Sequence, residues 1–283
     1  MQVGYLKLSN VSKVLDFLRI FKWYKNVLLF IPSLLVLGVI PTLLNINLVV
    51  AFILLGMVSS GLYIINDVAD KSADRKHPTK KKRLVASGKI KTEDALLIGV
   101  AILFTFAIPL RIITGWVFVY IMSTLLYISI FRNIPIADSV NISTNSIIRL
   151  LIGYSIIGIA PDPSLLALAF FFTMFTSISK RIREYIETNG KLRYKNNLDN
   201  ITLLDMKIWS LLSVIAIGMS LILSASYIGV LTAIILSVII ARMEIYTLYN
   251  PLKTGSFKTL IKDKSMIVML VLLVVSLFVK VTV

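Results

Sequence analysis

Apolar residues run along this chain in long unbroken stretches, separated by short polar breaks and two longer charged ones. A membrane-crossing helix needs about 20 mostly apolar residues. That ruler marks nine stretches, near 27–45, 48–66, 92–109, 114–131, 145–160, 164–182, 206–224, 227–241 and 266–283. The pattern predicts an all-α polytopic membrane protein, with nine transmembrane helices in a single membrane-embedded domain over 1–283. Ahead of the first span, Val14, Phe17, Leu18 and Phe21 recur at helical spacing with Lys13, Arg19, Lys22 and Lys25 around them, which predicts an interfacial entry helix over 10–26. Pro32 falls within the first span and predicts a kink there. The two long polar segments, 67–91 and 183–205, have room for chemistry. Connections such as "APDPS" (160–164) do not.

Composition agrees with this picture. The chain is 57% hydrophobic and 16% charged, and its mean hydropathy of +0.88 lies outside the range of soluble globular domains. Its 30 Lys and Arg test the topology, because cytoplasmic connections collect positive charge. The arm before span one holds five, the segment after span two nine, the segment after span six seven and the segment after span eight five, while Arg132 is alone after span four. Only Arg111 and Lys280 fall on the opposite side. The N-terminus and the long polar segments are therefore expected in the cytoplasm and the C-terminus outside the cell membrane. The formal charge of +16 gathers on one face, suited to anionic headgroups or anionic soluble substrates rather than nucleic acid. The absence of cysteine removes thiol catalysis and thiolate metal sites.

The first candidate chemistry follows span two. Asp67, Asp70 and Asp74 stand at i, i+3 and i+7, so a continuing helix would point three carboxylates from one face, with Asn66 four residues before Asp70. Hard oxygen donors without His or Cys favour Mg²⁺ or Ca²⁺, and Mg²⁺ commonly holds a diphosphate between one or two carboxylates and water. The alternative is that these acids are solvated partners of Lys71, Arg75 and Lys76. In the following "KHPTKKKR", Lys80 and Arg83 could clamp a phosphate, topology and lipid binding being the other use of such lysines. His77, the only histidine, reads as a solvated loop residue rather than a base.

A second constellation, "SISKRIREYIE" at 177–187, closes span six with Lys180, Arg181 and Glu184. Glu184 lies at i+4 and i+3 from the two bases, so the bases can hold an anion while Glu184 orients them or accepts from sugar hydroxyls. A snorkelling helix end is the alternative. Arg149, inside an apolar span, marks a functional site by default, with snorkelling again the competitor. Asp138 and Asp263 are weaker candidates.

Taken whole, "NDVADKSADR" (66–75) resembles the N-D-x-x-D-x-x-x-D-R signature of the UbiA-type intramembrane prenyltransferases. The segments "LRIFKWYKNVLLFIPSLL" (18–35), "DRKHPTKKKRLVASG" (74–88), "RLLIGYSIIGIAP" (149–161) and "SKRIREY" (179–185) are similar to the polyprenyl-phosphate (decaprenyl-phosphate) phosphoribosyltransferase branch of that superfamily. Beyond residue 187 only Arg242, Asp263 and general hydropathy continue the likeness. The resemblance implies nine transmembrane helices around a cytoplasm-facing cavity. Aromatic prenyltransferases carry a second aspartate motif at span six, where this chain has Lys180, Arg181 and Glu184; Leu84 stands where the branch usually has proline.

The implied reaction moves 5-phosphoribose from phosphoribosyl diphosphate (PRPP) to a polyprenyl phosphate, with Mg²⁺ held by Asp67, Asp70 and Asp74. Asn66 would support the metal or diphosphate, and Arg75 the site or a phosphate. Lys22, Lys25, Lys80, Arg83, Lys180 and Arg181 would divide the remaining phosphates. Two other readings stay open at this stage. One is a prenyltransferase acting on a prenyl diphosphate and an aromatic or glycerol-phosphate acceptor. The other is a non-catalytic transporter or lipid-binding protein whose charged segments serve topology.

Overall fold

The computed structural model describes residues 12–76, 80–134, 136–187, 202–250 and 263–282. His77, residues 10 and 11 of the expected entry helix, and 188–201 of the second polar segment lie outside them. Each apolar stretch becomes helical. A helical turn at 12–17 (α1) leads into a 3₁₀ helix, Ile20–Phe30, then α2 (Ile31–Leu37) and α3 (Val39–Leu44). The long helices are α4 (Ile46–Ala69), α6 (Thr92–Ile113), α7 (Trp116–Ser129), α8 (Ala137–Ile157), α9 (Pro163–Glu187), α10 (Leu203–Ile228), α11 (Val230–Tyr249) and α12 (Lys264–Thr282), with the short α5 (Lys71–Lys76) after α4. Among the described residues seven segments are long and apolar enough to cross a membrane; the apolar parts of α7 and α12 are shorter.

Two sequence expectations change in detail. Span one is not a single kinked helix: Pro32 sits at the start of α2, where its missing N–H costs nothing, and the break falls at Gly38, whose φ of 91° suits glycine. Span five begins at Ala137 rather than near 145, because its polar first turns face inward: Asp138, Ser139, Asn141 and Ser143 are all buried. Pro109, conversely, stays inside α6.

The entry segment explains how the bundle is assembled. Arg19 has φ 51° and ψ 40°, a left-handed conformation that ends the first helical turn and breaks the expected 10–26 helix. The following 3₁₀ winding has three residues per turn, so residues three apart share a face. Trp23, Asn26 and Leu29 form one such stripe, and all three meet the bundle. The Trp23 ring covers Gly56, where a Cβ would lie 2.5 Å from the ring, and its Nε1 donates to Ser60 Oγ at 3.0 Å. Asn26 accepts from Arg149, and Leu29 packs on Gly153.

Helices approach closely where glycines allow it. A Cβ on Gly61 of α4 would lie 2.7 Å from the Gly99 carbonyl oxygen of α6. Hydroxyl pairs tie further helices together: Ser146 with Thr173 at 2.9 Å, Ser179 with Thr247 at 3.1 Å and Thr232 with Ser276 at 3.1 Å. Small residues and such bonds hold helices together where lipid removes the hydrophobic drive between them. Apolar side chains such as Ile112 and Ile222, 85% and 77% exposed, point outward as a lipid-facing surface requires. Two main cores result, one around Leu55, Leu62, Leu110 and Ile152, the other around Tyr154, Phe175, Ile217 and Ile240.

The Gly153 contact yields a direct test. A Cβ there would lie 2.1 Å from the Leu29 carbonyl oxygen, whereas one on Gly115 meets nothing within 4 Å. Gly153→Ala is expected to destabilise the protein by about 1–3 kcal/mol through overpacking, read as a lower melting temperature in detergent. Gly115→Ala should leave that temperature unchanged.

Candidate active site

Helix α4 ends at Ala69, and Asp70 caps it with φ −89° and ψ 1°. The chain therefore turns between Asp67 and Asp74, and the three aspartates do not continue along one helical face. Asp67, 8% exposed, and Asp74, 4% exposed, instead share one arginine. Arg83 Nη1 lies 3.1 Å from Asp67 Oδ1 and 2.6 Å from Asp74 Oδ2. Arg19 Nη2 also donates to Asp67 Oδ1. Asp70 faces elsewhere, accepting from Asn66 Nδ2 at 2.8 Å and from Arg132 Nη1 at 2.6 Å.

The acids are thus paired with distant arginines. Lys71 donates to Thr92 Oγ1, and Arg75 donates through Nε to the Ala86 carbonyl at 3.0 Å, bracing the turn that carries Arg83. Arg19 and Arg132 are the partners that sequence reasoning did not assign. Arg132 carried one faint signal, as a lone base in a short connection.

A line of bases faces these acids. Lys22 and Lys25 are three apart, so the 3₁₀ winding sets them along one stripe, with Arg19 just ahead of it. The charges acting on Lys25 are those of Arg149, Lys180, Lys22 and Arg19, and Lys22 feels Arg19 and Arg83. Lys180, exposed near the end of α9, feels Glu184, Arg181, Lys80 and Lys22. Bases from the entry segment, the turn after α5 and α9 thus act on one another. Arg181 stands slightly apart, donating to Glu184 Oε2 at 2.9 Å and to the buried Asp138.

Arg149 is 4% exposed and does not snorkel. It donates to Asn26 Oδ1 at 2.9 Å, to the Asn145 carbonyl at 2.7 Å and to Tyr120 Oη at 2.9 Å, with the Tyr120 ring beneath it. Tyr120 in turn pairs with Ser59 at 3.0 Å. Asp263 lies apart, at the start of α12, where Ser265, Tyr246 and Arg242 hydrogen-bond its carboxylate and hold it well below the usual carboxylate range.

The donor set suits a hard divalent cation. Asn66 Oδ1 is buried with no hydrogen-bond partner among the described residues, and two carboxylate oxygens already converge on one cationic nitrogen. Among the described residues no three carboxylate, His or Cys side chains gather around one point. The fit is that of a cation held by one or two carboxylates and completed by a substrate phosphate and water.

Known proteins agree with the architecture. The UbiA prenyltransferase family model matches residues 27–193, and the chain belongs to that family. It is 32% identical over 182 residues to the uncharacterized protein y4nM of Sinorhizobium fredii, covering 62% of this chain and 35% of that one. It is 30% identical over 192 residues to decaprenyl-phosphate phosphoribosyltransferase of Corynebacterium glutamicum, covering 62% of this chain and 56% of the relative. These matches therefore span only part of each relative's length. A UbiA homolog from Archaeoglobus fulgidus, solved bound to GPP and Mg²⁺, superposes with a TM-score of 0.68 at 18% identity, over 96% of this chain and all of that one. That likeness shows a shared fold. The chain is a multi-pass membrane protein of the UbiA type.

The Arg181 contacts generate a prediction. Asp138 is 3% exposed, and Arg181→Met would remove a cation with which this buried carboxylate is paired. The expected loss is about 3–5 kcal/mol, and Arg181→Met combined with Asp138→Asn should recover much of it. Equal losses in the single and double variants, followed by thermal unfolding in detergent, would dissolve the pairing.

Proposed function

We propose that this protein transfers 5-phosphoribose from PRPP to a membrane polyprenyl phosphate and releases diphosphate. The carrying observation is the excess of bases beside the acids: Arg149, Lys180, Lys22 and Arg19 all bear on Lys25, and Lys180 brings further positive charge from α9. A substrate pair bearing a diphosphate, a 5-phosphate and a lipid phosphate matches that excess. A prenyl diphosphate with a neutral aromatic acceptor matches it less well. The relatedness to decaprenyl-phosphate phosphoribosyltransferase supports the same reading.

In this reaction an oxygen of the lipid phosphate bonds to C1 of the ribose as the bond from C1 to the diphosphate oxygen breaks. The diphosphate leaves with that electron pair. The acceptor is already an anion at neutral pH, so the step needs no general base. Lys180, Arg181, Lys22, Lys25, Lys80 and Arg83 would position the phosphates, and Glu184 would orient Arg181. Positioning two anions and meeting the charge that develops supplies most of the rate in such a site. Mg²⁺ held by Asp67 and Asp74 and completed by substrate phosphate and water, with Asn66 in support, would neutralise charge growing on the leaving diphosphate, while Asp70 stays bonded to Asn66 and Arg132. Arg149 would hold the inner wall, and Arg75 the turn that carries Arg83. The basic segments would put this site at the cytoplasmic face of the cell membrane.

The test is a transfer assay on detergent-purified protein with Mg²⁺. It compares ribose-labelled PRPP plus polyprenyl phosphate against labelled prenyl diphosphate plus an aromatic acceptor. Ribose label should enter the lipid fraction, and chelation should abolish its transfer; movement of prenyl label alone would assign the site to prenyl transfer. Asp67→Asn and Asp74→Asn are each expected to reduce turnover by about a hundredfold or more while the protein still purifies folded. Lys180→Ala should raise the apparent KM for PRPP, and an unchanged KM would return that lysine to topology.

A further inference from the structure

The polar centre around Arg149 holds two buried amide atoms without a hydrogen-bond partner among the described residues, Asn26 Nδ2 and Asn145 Oδ1. Their identities follow from the bonds around them. Arg149 Nε can only donate, so the Asn26 atom facing it at 2.9 Å is the oxygen, and the nitrogen is left over. The Ser123 carbonyl can only accept, so Asn141 turns its nitrogen to it at 3.1 Å and its oxygen to Asn145. Asn145 therefore answers with its nitrogen, at 3.4 Å, and its oxygen is left over.

One spare donor and one spare acceptor thus belong to two residues that both meet Arg149, Asn26 through its side chain and Asn145 through its backbone carbonyl. Native proteins leave few buried polar atoms unmet, because each forfeits its hydration. Asn26 is itself only 1% exposed. It directly follows Lys25, and the Arg149 that it meets is one of the charges acting on Lys25.

A hydroxyl is the simplest group that accepts one hydrogen bond and donates another. A fully ionised phosphate has no proton for Asn145 Oδ1, and hydrocarbon serves neither atom. The surrounding cations call for an anionic group on the same molecule. We infer that Asn26 and Asn145 select a hydroxyl of the phosphorylated sugar, Asn26 Nδ2 donating to its oxygen and Asn145 Oδ1 accepting its proton. The inference rests on the phosphosugar reading of the site. A prenyl diphosphate offers no hydroxyl there.

The experiment measures binding of PRPP and of its 2-deoxy and 3-deoxy analogues to the full chain in detergent with Mg²⁺, by calorimetry. Two variants leave the bonds of Arg149 in place: Asn145→Ala keeps the backbone carbonyl, and Asn26→Asp keeps the oxygen that meets Nε. One deoxy analogue is expected to bind the unaltered protein at least about tenfold more weakly than PRPP, as sites built around a hydroxyl discriminate strongly. In both variants that gap should fall to within about twofold. Equal binding of all three compounds to the unaltered protein, as a trapped water at this position would give, overturns the inference and leaves the phosphosugar reading standing. A gap that persists in both variants overturns it too. Failure of PRPP to bind, with a prenyl diphosphate binding instead, removes the phosphosugar reading and the inference together.

Discussion

A guanidinium buried between helices governs much of this molecule. Arg149 extends from α8 and is met by Asn26 of the entry segment, by the Asn145 carbonyl one turn earlier and by Tyr120 of α7, which Ser59 of α4 holds in turn. Hydrogen bonds to a charged group are worth about 1.5–3 kcal/mol each, and inside an apolar slab no water stands ready to replace them. Four elements are therefore fixed relative to one another by one side chain. Gly153, one turn further along α8, lets the entry segment come close enough for this to happen.

From that constraint the basic stripe follows. Trp23, Asn26 and Leu29 must all face the bundle, and three-residue spacing lines them up only in a 3₁₀ winding. The same winding aligns Lys22 and Lys25 on another line, within reach of Lys180 of α9. Long 3₁₀ runs are uncommon, and this one is held by tertiary contacts rather than by local preference. Arg19 and Ile136, with φ of 51° and 63°, are strained positions next to the ion-paired groups of the site. Such conformations cost about 1–3 kcal/mol each and persist where surroundings over-determine them.

Charge organises the outer end of the bundle differently from its centre. Asp67, Asp70 and Asp74 are balanced by Arg83, Arg19 and Arg132, which offset the repulsion among the acids. Lys22, Lys25 and Lys180 lie within one another's electrostatic reach. Like charges gathered in this way are unfavourable unless an anion joins them. The arrangement suits an anion beside a set of oxygen donors, and the proposed reaction would bring that anion as phosphate.

Much of this was legible in the chain. Hydropathy alone marks the apolar helices, because a bilayer demands about 20 apolar residues whatever the partners, and the string from Asn66 to Arg75 points to its family and to a phosphate-handling site. Local pattern failed where polarity served packing. The first turns of α8 look like a connection because Asp138, Ser139 and Asn141 are polar, yet the bundle buries them. The entry segment reads as an amphipathic α-helix, yet its tertiary anchors wind it more tightly. No spacing rule could have paired Asp67 with Arg19 or Asp70 with Arg132, 48 and 62 residues apart. Nor could it reveal that Asn26 and Asn145 each keep one amide atom free, since that depends on which neighbours claim the other. The sequence by itself determined the membrane-spanning helices and the inventory of charges, both of which answer to the solvent each residue meets. Tertiary structure alone decided which charge faces which, because helices brought together by close glycine contacts set neighbours that the linear chain does not record.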